Sequence, residues 1–469
     1  MKQTNTILFI SHNASKSGAP ILLLDFIDWF KENSRTNFKI LLNEGGELES
    51  AFRQRGETYI FTEYLGDQYE LIRLLKDITL IYSNTIANGY VLELLSQLHC
   101  PVISHVHELE YAIRIFRDHF TRTKRYTTYW IAGSRLIEAL LSEQYNIPEN
   151  TITVIPDFVS SSVLEQTDEK RGRARNEVLG ELRIDKDAQL VFGCGSVEWR
   201  KGPDLFVQVA DKVLKQTQKD TIHFAWIGAP LDENFLNQVL YEAELLQISK
   251  NVHFIGFKDR LTDYLLAGEV FLLTSREDPF PLAALLAASA ERPIVCFDQV
   301  TGITELVESD AGYIVPFMDI QGMADKVIYL LEDEKKREHL GKRGREKVKG
   351  RYTVESAGAK IVDVLHEMFA KYPMDELRSE TLIRLHEVEL EFHSTRNQLE
   401  DLDTRYGDLE TRYGDLESEY QSLQNHCRSI KDNFNSVSRS EALVIGKTIV
   451  WFPAKIKRLV MKLLGRARV

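Results

Sequence analysis

The chain has 469 residues, a length that implies two or three domains, and at 43% hydrophobic and 27% charged residues it is not a disordered polymer. The net charge of −12 argues against nucleic acid as a partner. The charge is uneven: residues 442–469 carry seven basic residues and no acid, which leaves −19 on the rest.

Cys100, Cys194, Cys296 and Cys427 lie far apart in the sequence and form no metal-ligand or redox pair. Thiols in apolar runs such as VFGCGS and PIVCF read as buried, and a reducing, cytoplasmic compartment is expected. The opening MKQTNTILFISHN has only a short apolar run, so it reads as a first strand rather than a signal peptide. No stretch reaches the roughly 18 apolar residues of a spanning helix, so no membrane crossing is expected.

In chain order, ILFI (7–10) leads into a helix from about Ala19 to Lys31. FKILLN (38–43), TLIYSN (79–84), PVISHVH (101–107) and YWIAGS (129–134) follow as strands. The charged stretch 165–188 lacks a strand signature and reads as a partly helical crossing between domains. Strands then resume with QLVFGCGS (189–196), IHFAWIG (222–228), VHFIGF (252–257), VFLLTS (270–275) and PIVCF (293–297). Near-continuous apolar strands alternating with helices predict an α/β chain of two doubly wound, Rossmann-like domains with parallel sheets, over residues 1–165 and 187–352. A crossover helix is expected over 353–373. Ligands of such folds bind beyond the carboxyl ends of the strands, so the cleft between the domains is the expected site.

From Leu385 the period changes. Leu385, Val388, Phe392, Leu399, Leu402, Tyr406, Leu409, Tyr413, Leu416, Tyr420, Leu423, Cys427, Ile430, Phe434 and Val437 keep a 3-4 spacing, with Thr395 the one polar exception. TRYGDLE occurs twice in succession, at 404–410 and 411–417. This predicts a coiled coil over 374–440, with its seam at 385–437 serving a homo-oligomer, softened at Gly407 and Gly414. At ~1.5 Å per residue the seam is about 80 Å long. Residues 441–469 follow as a basic tail whose Ile445, Ile449, Phe452, Ile456, Leu459 and Leu463 share a helical face. That pattern fits a helix lying on an anionic membrane surface; the alternative is a terminal helix docked on its own protein.

Four loops at strand ends carry the chemistry. Ser17-Gly18-Ala19 precedes a helix and offers amides to an anion, although such residues are also ordinary in turns. SHVHELEY places His105, His107 and Glu108 after a strand, suited to sugar hydroxyls or proton traffic; no third ligand has a convincing metal spacing. GCGSVEWRKGPDLF gathers Arg200, Lys201 and a helix start where a diphosphate would fit. In LLTSREDPFPLAALLAASAERPIVCF a strand ends in Glu277 and Asp278. A Pro-Phe-Pro turn with Phe280 then opens a helix at Leu282. DQVTGITELV adds Gly302 and Glu305 before another helix.

Together these loops resemble the family 4 glycosyltransferases, retaining GT-B enzymes common in bacterial cell-surface polysaccharide synthesis, over roughly residues 5–372. The resemblance implies that Gly18 approaches the donor phosphate and acceptor, that His107 contacts the donor sugar, and that Lys201 binds the diphosphate. It likewise puts Phe280, Leu282, Gly302 and Glu305 along the donor site. The family's arginine, five residues before the lysine, falls on Ser196, so Arg200 would substitute. Of the family's two acids, the first aligns with Asp278, with Glu277 beside it. The second, which holds the nucleotide ribose, aligns with Leu286, a residue unable to accept a hydrogen bond.

The expected protein is therefore a metal-independent, retaining glycosyltransferase without a cofactor, using a nucleoside diphosphate sugar. Its acceptor would be a growing, lipid-linked cell-surface glycan, and it would sit peripherally at the inner face of the cell membrane. The alternatives are a catalytically weak or inactive GT-B scaffold, favoured by Leu286, and a sugar-nucleotide epimerase of the same architecture.

Overall fold

The computed structural model describes residues 5–373 and 376–437, the side chains of 376–393 and 434–437 excepted. The basic tail expected over 441–469 lies outside the described residues. The chain divides into two compact units, Met1–Arg384 and Leu385–Val469.

The first unit contains two parallel sheets. Strands β1 (Thr6–Ser11), β2 (Asn37–Leu42), β3 (Thr58–Ile60), β4 (Leu80–Ser83), β5 (Val102–Val106), β6 (Tyr129–Ala132) and β7 (Ile152–Val154) form one, in the order β3-β2-β1-β4-β5-β6-β7. Strands β8 (Gln189–Cys194), β9 (Ile222–Ile227), β10 (Val252–Phe254), β11 (Val270–Leu273), β12 (Ile294–Phe297) and β13 (Gly312–Val315) form the other, in the order β10-β9-β8-β11-β12-β13. Both are doubly wound. The strand order reverses between β1 and β4 in the first sheet and between β8 and β11 in the second. These reversals open a crevice at the carboxyl ends, where adjacent loops turn to opposite faces.

The strands are buried on both sides. Ile7, Leu8, Phe9 and Ile10 are wholly inaccessible, with Phe9 and Ile7 in one core and Leu8 and Ile10 in the core on the opposite face. This is why their sequence reads as an apolar run rather than an alternation. The charged stretch at 165–188 folds as the helix Asp168–Leu182, capped by the Thr167 side chain on Lys170 N. It buries Ala174, Val178 and Leu179 in a core shared with β8 and β11, so the helix packs with the second sheet.

The helix Val354–Lys371 returns to the first domain and packs on the helix Gly18–Asn33. Its buried face consists of Val354, Ala357, Ile361, Val364, Leu365 and Met368. That burial contributes on the order of 10 kcal/mol before chain entropy is counted. Gly358 permits the approach: a Cβ there would lie 2.5 Å from Trp29 Cε3.

The helix Glu376–Val437, most of which belongs to the second unit, runs unbroken for 62 residues, through Gly407 and Gly414. Leu399, Leu402, Tyr406, Leu409, Tyr413, Leu416, Tyr420, Leu423 and Ile430 are all about half exposed or more. Among the described residues no helix is long and apolar enough to cross a membrane.

Candidate active site between the two sheets

The loop after β8 is held against the end of β11. Gly202, at φ +70°, caps the short turn Trp199–Lys201 and starts the helix Pro203–Thr217. A Cβ on Gly202 would lie 2.2 Å from Thr274 O, and Thr274 Oγ1 donates to Gly202 O at 2.8 Å. Only glycine tolerates both the left-handed backbone and this contact. The turn thereby delivers Lys201 to the next loop, where its Nζ lies 2.7 Å from Asp278 Oδ2. Ser275 Oγ donates to the same oxygen at 3.1 Å, and Asp278 is 3% exposed. This pair occupies the point between β8 and β11 where the strand order reverses.

Arg200 is differently engaged. It donates to Glu198 Oε1 at 2.9 Å and to the backbone oxygen of Glu277 at 3.1 Å, so it braces the acidic loop. Ser196 Oγ donates to the same Glu198 oxygen at 2.9 Å. Both oxygens of Glu277 accept from Tyr111 N at 3.0 Å, the first turn of the helix Glu110–Ile115 in the first domain. Burial raises the Glu277 carboxyl above its ordinary range, opposed by that amide and by Arg200.

Glu305 makes the matching contact, accepting from Arg135 N at 2.7 Å at the start of the helix Arg135–Ala139. Its carboxyl is likewise raised by burial, against the pull of Arg135. Gly302 lies against Ser134 of the first domain, and Gly18 lies against Leu282. Phe280 is packed into the second core beside Tyr352, with ring centroids 5.4 Å apart. Leu286 is half-buried on the same core. Tyr111 and Trp199 meet across the domains at 5.7 Å, and a cavity of about 300 Å³ lies nearby, lined by Leu109, Glu110, Leu140, Arg276, Glu277 and Val300 among others.

The first domain contributes a buried polar cluster that sequence reading caught only in part. His107 Nδ1 lies 2.9 Å from Asp157 Oδ1, and His107 Nε2 lies 3.0 Å from Asn84 Oδ1. Asn84 Nδ2 donates to Ala19 O at 2.7 Å, which fixes the amide with its oxygen toward the histidine. Both ring nitrogens therefore face acceptors, an arrangement that favours the doubly protonated ring. Burial opposes that charge, but Asp157 outweighs it and His107 is raised above its ordinary value.

His105, beneath it, is held neutral by burial and by the His107 charge, with Nδ1 2.6 Å from Tyr82 OH. His12, just after β1, is pushed down to about 4 by burial and then by His107. Glu108 accepts from His107 N at 2.9 Å and from Thr85 Oγ1. Ligand atoms of His105, His107 and Asp157 lie within 4.8 Å of one another, a spacing open to a metal ion. The doubly protonated His107 ring would compete with a cation for the same nitrogen lone pairs. Asp157 and Asn84 thus belong to the buried cluster of the candidate site although the motifs did not single them out; Asn84 directly follows β4, whereas Asp157 comes three residues after the end of β7.

Two parallel, doubly wound sheets in succession form the two Rossmann-like domains of a GT-B fold. Residues 174–347 match the family "Glycosyl transferases group 1", so the second domain is a glycosyl transferase group 1 domain. Among curated relatives, N-acetyl-alpha-D-glucosaminyl L-malate synthase of Bacillus anthracis is 30% identical over 131 residues, 26% of this chain and 34% of that protein. N,N'-diacetylbacillosaminyl-diphospho-undecaprenol alpha-1,3-N-acetylgalactosaminyltransferase of Campylobacter jejuni is 28% identical over 161 residues, 34% of this chain and 40% of that protein. The matches thus span less than half the length of these relatives. The fold is similar to that of Anabaena HepE in complex with UDP and glucose, with a TM-score of 0.68 and 16% identity over 77% of this chain and 100% of that one.

Proposed function

We propose that the protein transfers a sugar, with retention and without a metal ion, from a nucleoside diphosphate sugar to a growing, lipid-linked cell-surface glycan. The observation that carries this reading is the Lys201–Asp278 pair at the crevice between β8 and β11. A donor diphosphate entering there would draw Lys201 off the carboxylate, leaving the cation on phosphate and Asp278 open to sugar hydroxyls. Charge developing on the leaving diphosphate would meet Lys201 and the helix start at Leu282 in place of a metal. In a same-face attack the departing diphosphate oxygen takes the acceptor proton, so no protein nucleophile is required.

Glu277 and Asp278 then orient the sugar from the second domain. His107 acts from the first as a fixed imidazolium, contributing charge rather than a free nitrogen. Gly302 allows the close approach of the two domains, Gly18 lies at ordinary contact distance from Leu282, and Glu305 ties the domains at Arg135 N. An inactive scaffold is less well supported, since Lys201, Asp278 and Glu305 are all retained. The lipid-linked acceptor is favoured by the undecaprenol-linked substrate named for the Campylobacter relative and by the basic tail. That tail would hold the protein at an anionic, cytoplasmic membrane surface, with the long helix forming a homo-oligomer.

A panel of nucleotide sugars scanned for thermal stabilisation tests the proposal, because a ligand bound only to the folded state raises its melting temperature. The matching donor should also be consumed in the presence of lipid-linked glycan. Stabilisation by no member of the panel would refute a donor site here.

A further inference from the structure

We infer that the exposed seam of the helix Glu376–Val437 docks on a second copy of the same helix in parallel and in register, as a two-stranded coiled coil. This deepens the proposed self-association and rests on it. The seam alternates in steps of three and four without a break from Leu399 to Ile430, so two interleaved layers can be assigned. Leu399, Tyr406, Tyr413, Tyr420 and Cys427 fall on the first core position, a. Leu402, Leu409, Leu416, Leu423 and Ile430 fall on the second, d. Leucine holds four successive d positions, as in parallel dimers, with tyrosine at the intervening a positions where such dimers carry Ile or Val. The glycines of the repeated heptad, Gly407 and Gly414, fall at b on the outer face, where no side chain is needed for packing.

The flanking charges decide the orientation. Asp403, Glu410 and Glu417 occupy position e, while Arg405 and Arg412 occupy position g. In a parallel pair each g residue faces the e residue five positions further along the partner. Arg405 then meets Glu410 of the second copy and Arg412 meets Glu417, twice each by symmetry. In an antiparallel pair e faces e and g faces g. The acids would then oppose one another in every register that overlaps the repeat, and Arg405 and Arg412 would lose these carboxylates. The local ion pair of Arg405 with Asp401, 3.2 Å apart and exposed, leaves the arginine at the edge of the seam. Cys427 is free and exposed, at a core position where two parallel helices approach most closely. In register, the two copies of Cys427 come within the Cα separation of under about 7 Å that a disulfide spans.

The full-length chain carries the test. Sedimentation equilibrium should give a dimer. Mild copper oxidation at micromolar protein should cross-link it through Cys427, and Cys427→Ser should abolish the cross-link. Ser418→Cys in that background places a thiol at the outward f position and should not restore it. Arg412→Glu alone and Glu417→Arg alone should each weaken association several-fold, and the double reversal should recover most of it. In an antiparallel pair either single reversal would strengthen association instead, which overturns the orientation but leaves self-association standing. A dimer that fails to cross-link at Cys427 would overturn the register, and a trimer or higher species would overturn the two-stranded assignment. A full-length monomer would overturn both this inference and the proposed oligomer, without touching the donor site.

Discussion

Lys201 Nζ lies 2.7 Å from Asp278 Oδ2, so the cation proposed to meet a donor diphosphate is paired with a carboxylate from the adjoining loop. Both side chains are mostly buried, and neither charge is left alone. Lys201→Ala should remove this partner and leave Asp278 with Ser275 only. We expect a folded protein destabilised by about 3 kcal/mol, the lower end for breaking a buried ion pair. Its affinity for nucleoside diphosphate should fall roughly ten- to a hundredfold, as for loss of one charged hydrogen bond. Calorimetric titration with the diphosphate and a thermal melt check both; equal affinity would remove Lys201 from the site.

Leu286 lies one turn into the helix Leu282–Ser289, half-buried on the second core. A carboxylate at this position should read the donor ribose if the ribose lies along that helix. Leu286→Glu is therefore expected to keep activity and to bind donor equally well or up to about tenfold more tightly. Donor titration of the variant decides it. Weaker binding or an unfolded protein would show that Leu286 is needed for packing and that the ribose lies elsewhere.

Long strands were legible in the sequence because burial on both faces writes them as apolar runs: ILFI, VFLLT and IVCF each became a strand of a parallel sheet. The short strands Thr58–Ile60, Ile152–Val154 and Gly312–Val315 escaped notice, since three or four residues at or near a sheet edge need little apolar surface. The helix Asp168–Leu182 falls within the stretch expected to be partly helical; its bounds were less clear because only Ala174, Val178 and Leu179 are buried, among a majority of charged and polar neighbours. At the candidate site, glycine turns and strand ends placed Lys201 and Asp278 in loops at the carboxyl ends of β8 and β11. Their mutual pairing was not legible, because it depends on two loops 77 residues apart meeting at a strand reversal. Nor could sequence show that Asn84 and Asp157 saturate His107, since β4, β5 and β7 bring those three together only in the sheet.

Gly302 lies at a close contact between the two domains. A Cβ there would lie 2.2 Å from Pro279 O, 2.6 Å from Ser134 Cβ and 2.8 Å from Phe280 Cδ2. The first is backbone and cannot give way cheaply, so Gly302→Ala must shift the turn away from Ser134 or displace Phe280. The expected cost is about 2 kcal/mol, typical of overpacking. Transfer should fall with it, because Glu305 would lose its registration with Arg135 N. Melting temperature and donor turnover measured on the same preparation test this; an unchanged melt would mean the domains separate freely at this contact.

The His107 cluster makes the protein's stability depend on pH in two opposed ways. His107 is raised above 6.5 in the folded protein: burial disfavours its charge, but the Asp157 carboxylate and the hydrogen bond to it win. Its contribution is fully present below about 6.5, the unfolded value, and is lost as pH rises through the folded one. His12 and His105 are lowered, by burial first and by the His107 charge second. They must stay neutral in the folded state, so their contribution is present above about 6.5 and is lost as pH falls toward the value of about 4 held by His12. Where one such proton is linked, stability should change by roughly 1.4 kcal/mol per pH unit. His107→Gln should remove the alkaline loss and, by lifting the positive charge from its neighbours, lessen the acid one. Asp157→Asn should bring the His107 transition below 6.5. Denaturant titrations from pH 5 to 9 measure the slopes, and nitrogen-15 spectra of the imidazole report the protons directly. A wild-type His107 with one unprotonated ring nitrogen at pH 6 would overturn the imidazolium assignment and, with it, the reading of Asn84 as an obligate acceptor.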